Sequence, residues 1–408
     1  MMDLLISTPY RAGSIVNIAR GAADAGVLRR FYTTVYLRRY HEFAQSIPLV
    51  GAPVARKLSR RSFLGVPREI VASESTLPEL AHLLFRRMSG KLFPQHAAAS
   101  MYHSKLLFDM AVAKCVEEEE PGVFLGMHAA SENSFQAMQR NGGQTVLNLV
   151  NSHPTEQNRH LRELAGLTPP HHEFIPDGVV ERVEREIELA DRILVPSWFV
   201  AKQLLAHGIP DRKIVVVPYG VDLTVFRELA RPVSRRKELQ CLYVGQISHR
   251  KGLRTLVDTA RRCRNLPIRF DLVGPMVSPE VLHDAPPNCH YLGFTPPGGD
   301  VADAMCAADI FVHPTYDDSW SLVVLEAMAC GLPVITTNHA GSSEVIENRQ
   351  TGIVVPPGDT FRFTDALREL SEDQGLRQRL GRQARQAVKA DYSWPVYAER
   401  VLGAACQF

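Results

Sequence analysis

His313-Pro-Thr-Tyr-Asp-Asp-Ser-Trp-Ser-Leu-Val-Val-Leu-Glu-Ala-Met-Ala-Cys-Gly-Leu-Pro-Val-Ile335 contains a complete strand-to-helix transition. Asp309 to His313 is apolar enough to end a buried strand, and Pro314 to Trp320 forms a polar loop. Leu322 to Cys330 is rich in helix formers and stops at Gly331, a residue suited to a helix C-terminus. A helix starting here leaves the N–H groups of Ser321, Leu322 and Val323 at its positive end, an arrangement that binds phosphate. Asp318 precedes the helix and Glu326 lies one turn inside it. Glu326 offers a bidentate acceptor on a rigid element, suited to a pair of ribose hydroxyls. Taken alone, it is equally a carboxylate that serves the helix dipole.

Outward from this segment, short apolar runs alternate with amphipathic stretches, the pattern of parallel α/β units. Predicted strands run Leu4 to Thr8, Val123 to His128, Thr145 to Asn151, Arg192 to Pro196 and Ile214 to Pro218. A second series covers Gln240 to Val244, Phe270 to Val273, His290 to Leu292, Asp309 to His313, Pro333 to Thr336 and Gly352 to Val355. The polar, basic stretch Arg227 to Glu238 separates them. Two doubly wound, Rossmann-like domains are therefore expected, over 1–220 and 221–389, facing each other across a cleft. Ligands in such sheets bind beyond the carboxyl ends of the strands.

The chain of 408 residues, 45% hydrophobic and 22% charged, has room for large cores and is too apolar for a disordered chain. Its 46 Lys and Arg against 44 Asp and Glu argue against a nucleic-acid partner. Seven cysteines without a C-x-x-C pair suit a reducing cytosol. The N-terminus lacks a basic region before its short apolar run, and no run approaches the roughly 18 apolar residues of a membrane span. A cytoplasmic address is expected, with the inner membrane face as an alternative. That alternative comes from residues 29–68, where nine Arg and Lys accompany six aromatics and one acid, Glu42. The stretch reads either as a patch for anionic lipid or a phosphorylated acceptor, or as a solvated helix with its aromatics inward.

The opening segment resembles the signature of retaining glycosyltransferases of family 4, roughly E-x-F-G-L-V-x-L-E-A-M-A-x-G-x-P-V-I. Leu322, Val323, Leu325, Glu326, Ala327, Met328, Ala329, Gly331, Pro333, Val334 and Ile335 match it. Further stretches that resemble the family are Glu188 to Ser197, Lys213 to Asp222, Leu242 to Gly252, Gly341 to Ile346 and Thr351 to Asp359. Residues 20 to 115 carry no matching motif.

The resemblance implies the GT-B architecture and transfer of a hexose-type sugar, with retention, from a nucleotide diphosphate sugar to a hydroxyl acceptor. The acceptor is a glycan, a small molecule or a lipid-linked molecule at the membrane surface. No cofactor and no metal are expected, because Lys251 stands where the family's lysine meets the donor diphosphate. A cation there offsets charge that grows on the leaving group. Arg250, Lys251, Asp318, Glu326 and His128 are the candidate catalytic residues, and Gly245, Gln246 and Ser319 to Val323 line the expected donor site. Gly13, in a loop resembling the family's double-glycine loop with Ala12 for the first glycine, would admit the diphosphate or the acceptor closely. Ser14 and His153 belong to the acceptor side. The C-terminal segment 390–408, with Tyr392, Trp394 and Tyr397, is expected to cross back onto the first domain.

Departures are plain. Gln246 stands where the family has arginine, and Arg250 is the nearby candidate to supply that charge. Asp318 replaces glutamate, Trp320 and Ser321 replace Phe and Gly, Tyr219 replaces Asn, and Gly126 replaces the first histidine of H-x-H. His153 with His160, and His171 with His172, lack the partner set of a metal site and read as ordinary surface. Two rivals to the transferase remain: a sugar-nucleotide epimerase of the same fold, and a non-catalytic sugar-nucleotide-binding scaffold.

Overall fold

The computed structural model describes residues 3–10, 13–34, 36, 65–74, 94–120, 122–168, 171–228, 238–296 and 298–405. Two all-parallel sheets organise them. The first contains β1 (Leu4–Thr8), β2 (Leu28–Thr33), β3 (Val71–Ser73), β4 (Val123–Met127), β5 (Gln144–Asn148), β6 (Arg192–Val195) and β7 (Ile214–Val216), in the order β3-β2-β1-β4-β5-β6-β7. The second contains β8 (Leu239–Val244), β9 (Ile268–Val273), β10 (Cys289–Gly293), β11 (Ile310–His313), β12 (Val334–Thr337) and β13 (Ile353–Val355), in the order β10-β9-β8-β11-β12-β13.

Helices cover both faces of each sheet, so the central strands are apolar without alternation. Every residue of β1, β4 and β11 is buried. Strand order reverses between β1 and β4 and again between β8 and β11. A crevice opens at such switch points, and the loops after these four strands begin at Pro9, His128, Gly245 and Pro314.

Two strands escaped the sequence reading. Leu28–Thr33 lies in the stretch expected as a patch or a solvated helix, yet it is strand β2, with Phe31 and Tyr32 buried. Its arginines meet acids from elsewhere in the chain: Arg29 pairs with Glu119 at 2.8 Å and with Asp3 at 3.5 Å, and the Tyr32 hydroxyl donates to Glu119 at 3.0 Å. A count of acids within 29–68 could not include these partners. Residues 37–64, which carry most of the proposed patch, lie outside the described residues.

The C-terminal helix Trp394–Ala405 packs on helix Gly13–Asp24 of the first lobe. A Cβ on Gly21 would come within 2.8 Å of the Ala398 Cβ, so the two helices need that glycine. Helix Gln374–Asp391 supports the opening segment: Arg385 donates to the Ala329 carbonyl and caps helix Leu322–Ala329.

Candidate functional site

A cavity of about 290 Å³ lies between the carboxyl ends of the two sheets. Asn151 and Ser152 line it from the first lobe; Gly245, Arg250, Lys251, Asp318 and the run Ser319 to Val323 line it from the second. A larger groove, about 820 Å³, runs between helices Gly13–Asp24 and Trp394–Ala405. Its walls are mostly apolar and it is remote from the second sheet, so the smaller, charged cavity is the candidate site.

Lys251 lies in the turn after β8. Gly252 follows at φ +71°, and a Cβ there would stand 1.9 Å from the Pro314 carbonyl oxygen. This close approach joins the loop after β8 to the loop after β11. The Lys251 ammonium pairs with Asp318 Oδ2, which also meets His313 Nε2 at 3.1 Å. The Ser321 N–H donates to Asp318 Oδ1 at 3.1 Å. Burial alone would raise the Asp318 carboxyl, but the Lys251 charge, and after it His313, hold it well below the usual range. Burial, then the nearby Arg250, lowers Lys251 to about 8, although Asp318 acts against both. The Asp318 carboxylate is therefore ionised, and a cation stands at the cavity wall.

Arg250 stands beside it. Its guanidinium donates to the Asp317 carbonyl at 2.9 Å and to the Gln246 side-chain oxygen at 3.2 Å. Gln246 thus orients Arg250 as a neighbour in the same loop. Ser321 takes the left-handed conformation, φ +61°, at the start of helix Leu322–Ala329. Its hydroxyl is buried and meets no partner among the described residues, as does the Trp320 indole N–H. Ser319 seals the cavity by donating to the Val150 carbonyl at 2.6 Å across the lobes.

Glu326 lies one turn further along the helix and outside the cavity lining. Burial pushes its half-buried carboxyl up to about 7, and no hydrogen bond to that carboxyl is formed among the described residues.

His128 follows β4 as expected but stands behind the cavity. Its Nε2 meets the Asn151 amide at 3.0 Å, and Asn151 is the group that faces the cavity. Burial, then Lys105, lowers His128 to about 3, so the ring is neutral. Gly126, where the family has histidine, has no room for a side chain: a Cβ would lie 2.1 Å from Ser131 Oγ. His153 is not in the cavity; its ring stacks on His207 at 3.9 Å. Gly13 begins its helix, and a Cβ there would meet only the Trp394 ring at 3.6 Å, an ordinary contact. Ser14 is buried. Arg11 and Ala12 lie outside the described residues.

Sequence reading missed Asn151, Asp317 and Glu186. Asp317 seams the lobes, accepting from Ser152 at 2.8 Å and meeting His160 Nδ1 at 2.7 Å. His160 thus has a partner from the other lobe. Glu186 is fully buried and accepts from the N–H groups of Ala129 and Ser131, holding the turn after His128 with Ala129 at φ +61°. The signal available for Asn151 and Asp317 was position alone: both follow strands that end at the cleft.

Residues 226–387 match the family described as glycosyl transferases group 1, and residues 156–225 match glycosyltransferase family 4. Together they run unbroken from 156 to 387, more than half the chain. The chain belongs to the group 1, family 4 glycosyltransferases. Within the family it is 32% identical over 222 residues to a GDP-mannose-dependent alpha-mannosyltransferase of Mycobacterium tuberculosis, over 53% of this chain and 56% of that one. It is 31% identical over 227 residues to a D-inositol 3-phosphate glycosyltransferase of Arthrobacter, over 49% and 52%. The chain spans about half the length of the curated relatives it matches. As a fold it matches the GT-B glycosyltransferases. The Anabaena protein HepE, solved with UDP and glucose, superposes with a TM-score of 0.66 at 13% identity over the whole of both chains. WaaG, a glycosyltransferase involved in lipopolysaccharide biosynthesis, gives 0.61 at 15% over 99% of this chain and 100% of its own. Among the described residues no helix is long and apolar enough to cross a membrane.

Proposed function

We propose that the protein is a retaining glycosyltransferase that moves a hexose-type sugar from a nucleotide diphosphate donor to a hydroxyl acceptor. The observation that carries this reading is convergence: Lys251, Arg250 and the amino end of helix Leu322–Ala329 all face one cavity at the carboxyl ends of both sheets. Two cations and the amino end of a helix suit a diphosphate.

In this reading residues 221–389 hold the donor and residues 1–220, with the returning C-terminal helix, hold the acceptor. The diphosphate displaces Asp318 from Lys251 and takes the Ser321 and Leu322 N–H groups, while Glu326 accepts from the ribose hydroxyls. The bond from the sugar's anomeric carbon to the β-phosphate oxygen breaks. The acceptor oxygen bonds to that carbon on the same face, and its proton passes to the departing phosphate. Lys251 and Arg250 offset charge growing on that phosphate, the electrostatic contribution that is stronger in the transition state than before it. His128, neutral and bonded to Asn151, orients the acceptor side rather than carrying charge. Gly13 and Ser14 border the acceptor's path, and His153 acts behind it. The protein works in the cytoplasm, at the inner membrane face where the acceptor is lipid-linked.

The test is incubation with UDP-glucose, GDP-mannose and ADP-glucose in EDTA, with water as the acceptor of last resort. Release of nucleoside diphosphate with an α-configured sugar from an α-configured donor is the expected outcome. Lys251→Ala slows it about 100-fold. An altered sugar nucleotide would identify an epimerase, and binding without either product would identify a scaffold.

A further inference from the structure

His171 lies within 4.8 Å of donor atoms of His172 and Glu173 beside it in sequence, and the fold adds His249 and Glu280 from the other lobe. Glu280 Oε1 lies 3.5 Å from His171 Nε2 and 3.2 Å from His249 Nε2, and the three donor atoms fall within 4.8 Å of one another. Imidazole-to-carboxylate hydrogen bonds between charged partners are shorter, about 2.7–2.9 Å. Zinc bonds of about 2.0–2.2 Å at tetrahedral angles set neighbouring donor atoms about 3.3–3.5 Å apart. We propose that His171, His249 and Glu280 form a divalent transition-metal site, of the zinc class, that tethers the two lobes at the rim of the cleft.

Three separate loops meet there. His171 lies between helices Pro154–Glu163 and Asp177–Leu189 of the first lobe. His249 lies in the loop after β8, one residue before Arg250, and Glu280 lies in the turn Pro279–Leu282 after β9. Glu173 fixes this arrangement without metal. Its carboxylate accepts from the backbone N–H groups of His249 at 2.8 Å and Arg250 at 2.9 Å, and from the Ser278 hydroxyl. The ligands are thus held in register by a carboxylate that is already saturated, leaving Glu280 as the acid for the ion.

The ligand chemistry fits. Two imidazoles and one carboxylate are a borderline set that selects zinc over magnesium, which takes oxygen ligands in an octahedron. Side-chain exposures of 21% for His171, 16% for His249 and 42% for Glu280 leave a path from solvent and room for water in the remaining position. The cost is one weak contact. The Glu173 N–H donates to His171 Nδ1 at 3.3 Å, and metal on Nε2 moves the proton to Nδ1 and breaks that bond.

The ion would cross-link the first lobe to the loop that carries Arg250 and Lys251, stiffening it from outside the cavity. The tether is distinct from the donor reaction, and its test reads metal rather than turnover, so it stands or falls apart from the donor reading.

Protein stripped by a chelator is given Zn²⁺, desalted, and its bound zinc and thermal transition are measured. Wild type is expected to retain one zinc per chain and to melt higher with zinc than without, whereas Mg²⁺ leaves the transition unchanged. His249→Ala and Glu280→Gln should each weaken zinc binding at least about tenfold, while His290→Ala, at an exposed histidine away from the cluster, binds as wild type. Glu280 is a surface side chain, so E280Q keeps the test decisive should H249A fold poorly. Cysteines are the competing ligands in this chain, and zinc held by them would survive both substitutions. Absence of bound zinc in wild type, or equal retention by H249A and E280Q, overturns the proposal.

Discussion

Asp318 carries Lys251 and His313 on one oxygen and the Ser321 N–H on the other, mostly buried at the cavity wall. A buried pair of this kind adds little net stability, yet removing one member strands the other's charge. Asp318→Ala is therefore expected to cost about 3 kcal/mol in chemical denaturation, and a wild-type midpoint would contradict the pairing. The pH sign follows from the lowered carboxyl. Its contribution is complete above the ordinary 3.8 of an aspartate and fades as pH falls toward its lower value in the fold. Glu186 plays the equivalent part in the first lobe, because two backbone N–H groups depend on it. Glu186→Ala is expected to destabilise by about 2–4 kcal/mol, with Glu186→Gln recovering part of that loss through its remaining oxygen. Equal melting of the alanine variant and wild type would show that the turn after His128 holds itself.

Helix Leu322–Ala329 and the turn into Leu253–Arg262 set the second lobe's half of the site. Glu326 is raised from 4.5 to about 7 by burial. The ligand-free protein accordingly loses stability as pH climbs from 4.5 through about 7, where an unpaired charge must form. If Glu326 serves the ribose as proposed, the ribose hydroxyls donate to the ionised form, so nucleotide affinity is expected to rise between about pH 6 and pH 8, and Glu326→Gln to flatten that rise. A calorimetric pH series checks it; an unchanged slope in the variant would remove Glu326 from the ribose. Gly252 makes a second prediction. Its positive φ and its approach to the Pro314 carbonyl leave no place for a methyl group. Gly252→Ala is expected to lose about 3 kcal/mol and to weaken nucleotide binding by displacing Lys251; retention of both would mean that the loop yields freely.

At the scale of the whole molecule, the buried parallel strands were legible because both their faces are covered, leaving short apolar runs between polar breaks. The side of the first sheet beyond β1 was not. β2 carries Arg29 and Arg30 after a single apolar residue, Leu28, and β3 is three residues long with none of them buried. Their identity rests on partners such as Glu119 that are distant in sequence. The same division holds in the site. Lys251, in the stretch after β8, and Asp318 and Ser321, in the stretch after β11, were readable as cavity-lining residues because they follow strand ends, whereas Asp317, Asn151 and Glu186 act through contacts between strands or lobes that no local spacing encodes. His153 had the right position after a strand, yet its ring turns to His207 instead of the cavity. That Lys251 and Glu326 serve one nucleotide diphosphate site is the proposal on which the donor reading rests. Its most direct test is calorimetric titration of wild type, Lys251→Ala and Glu326→Ala with UDP, GDP and ADP in EDTA. One nucleotide should bind wild type with a dissociation constant on the order of micromolar, and each substitution should weaken it at least tenfold, about 1.4 kcal/mol; no binding by wild type, or equal binding by all three proteins, would contradict the claim.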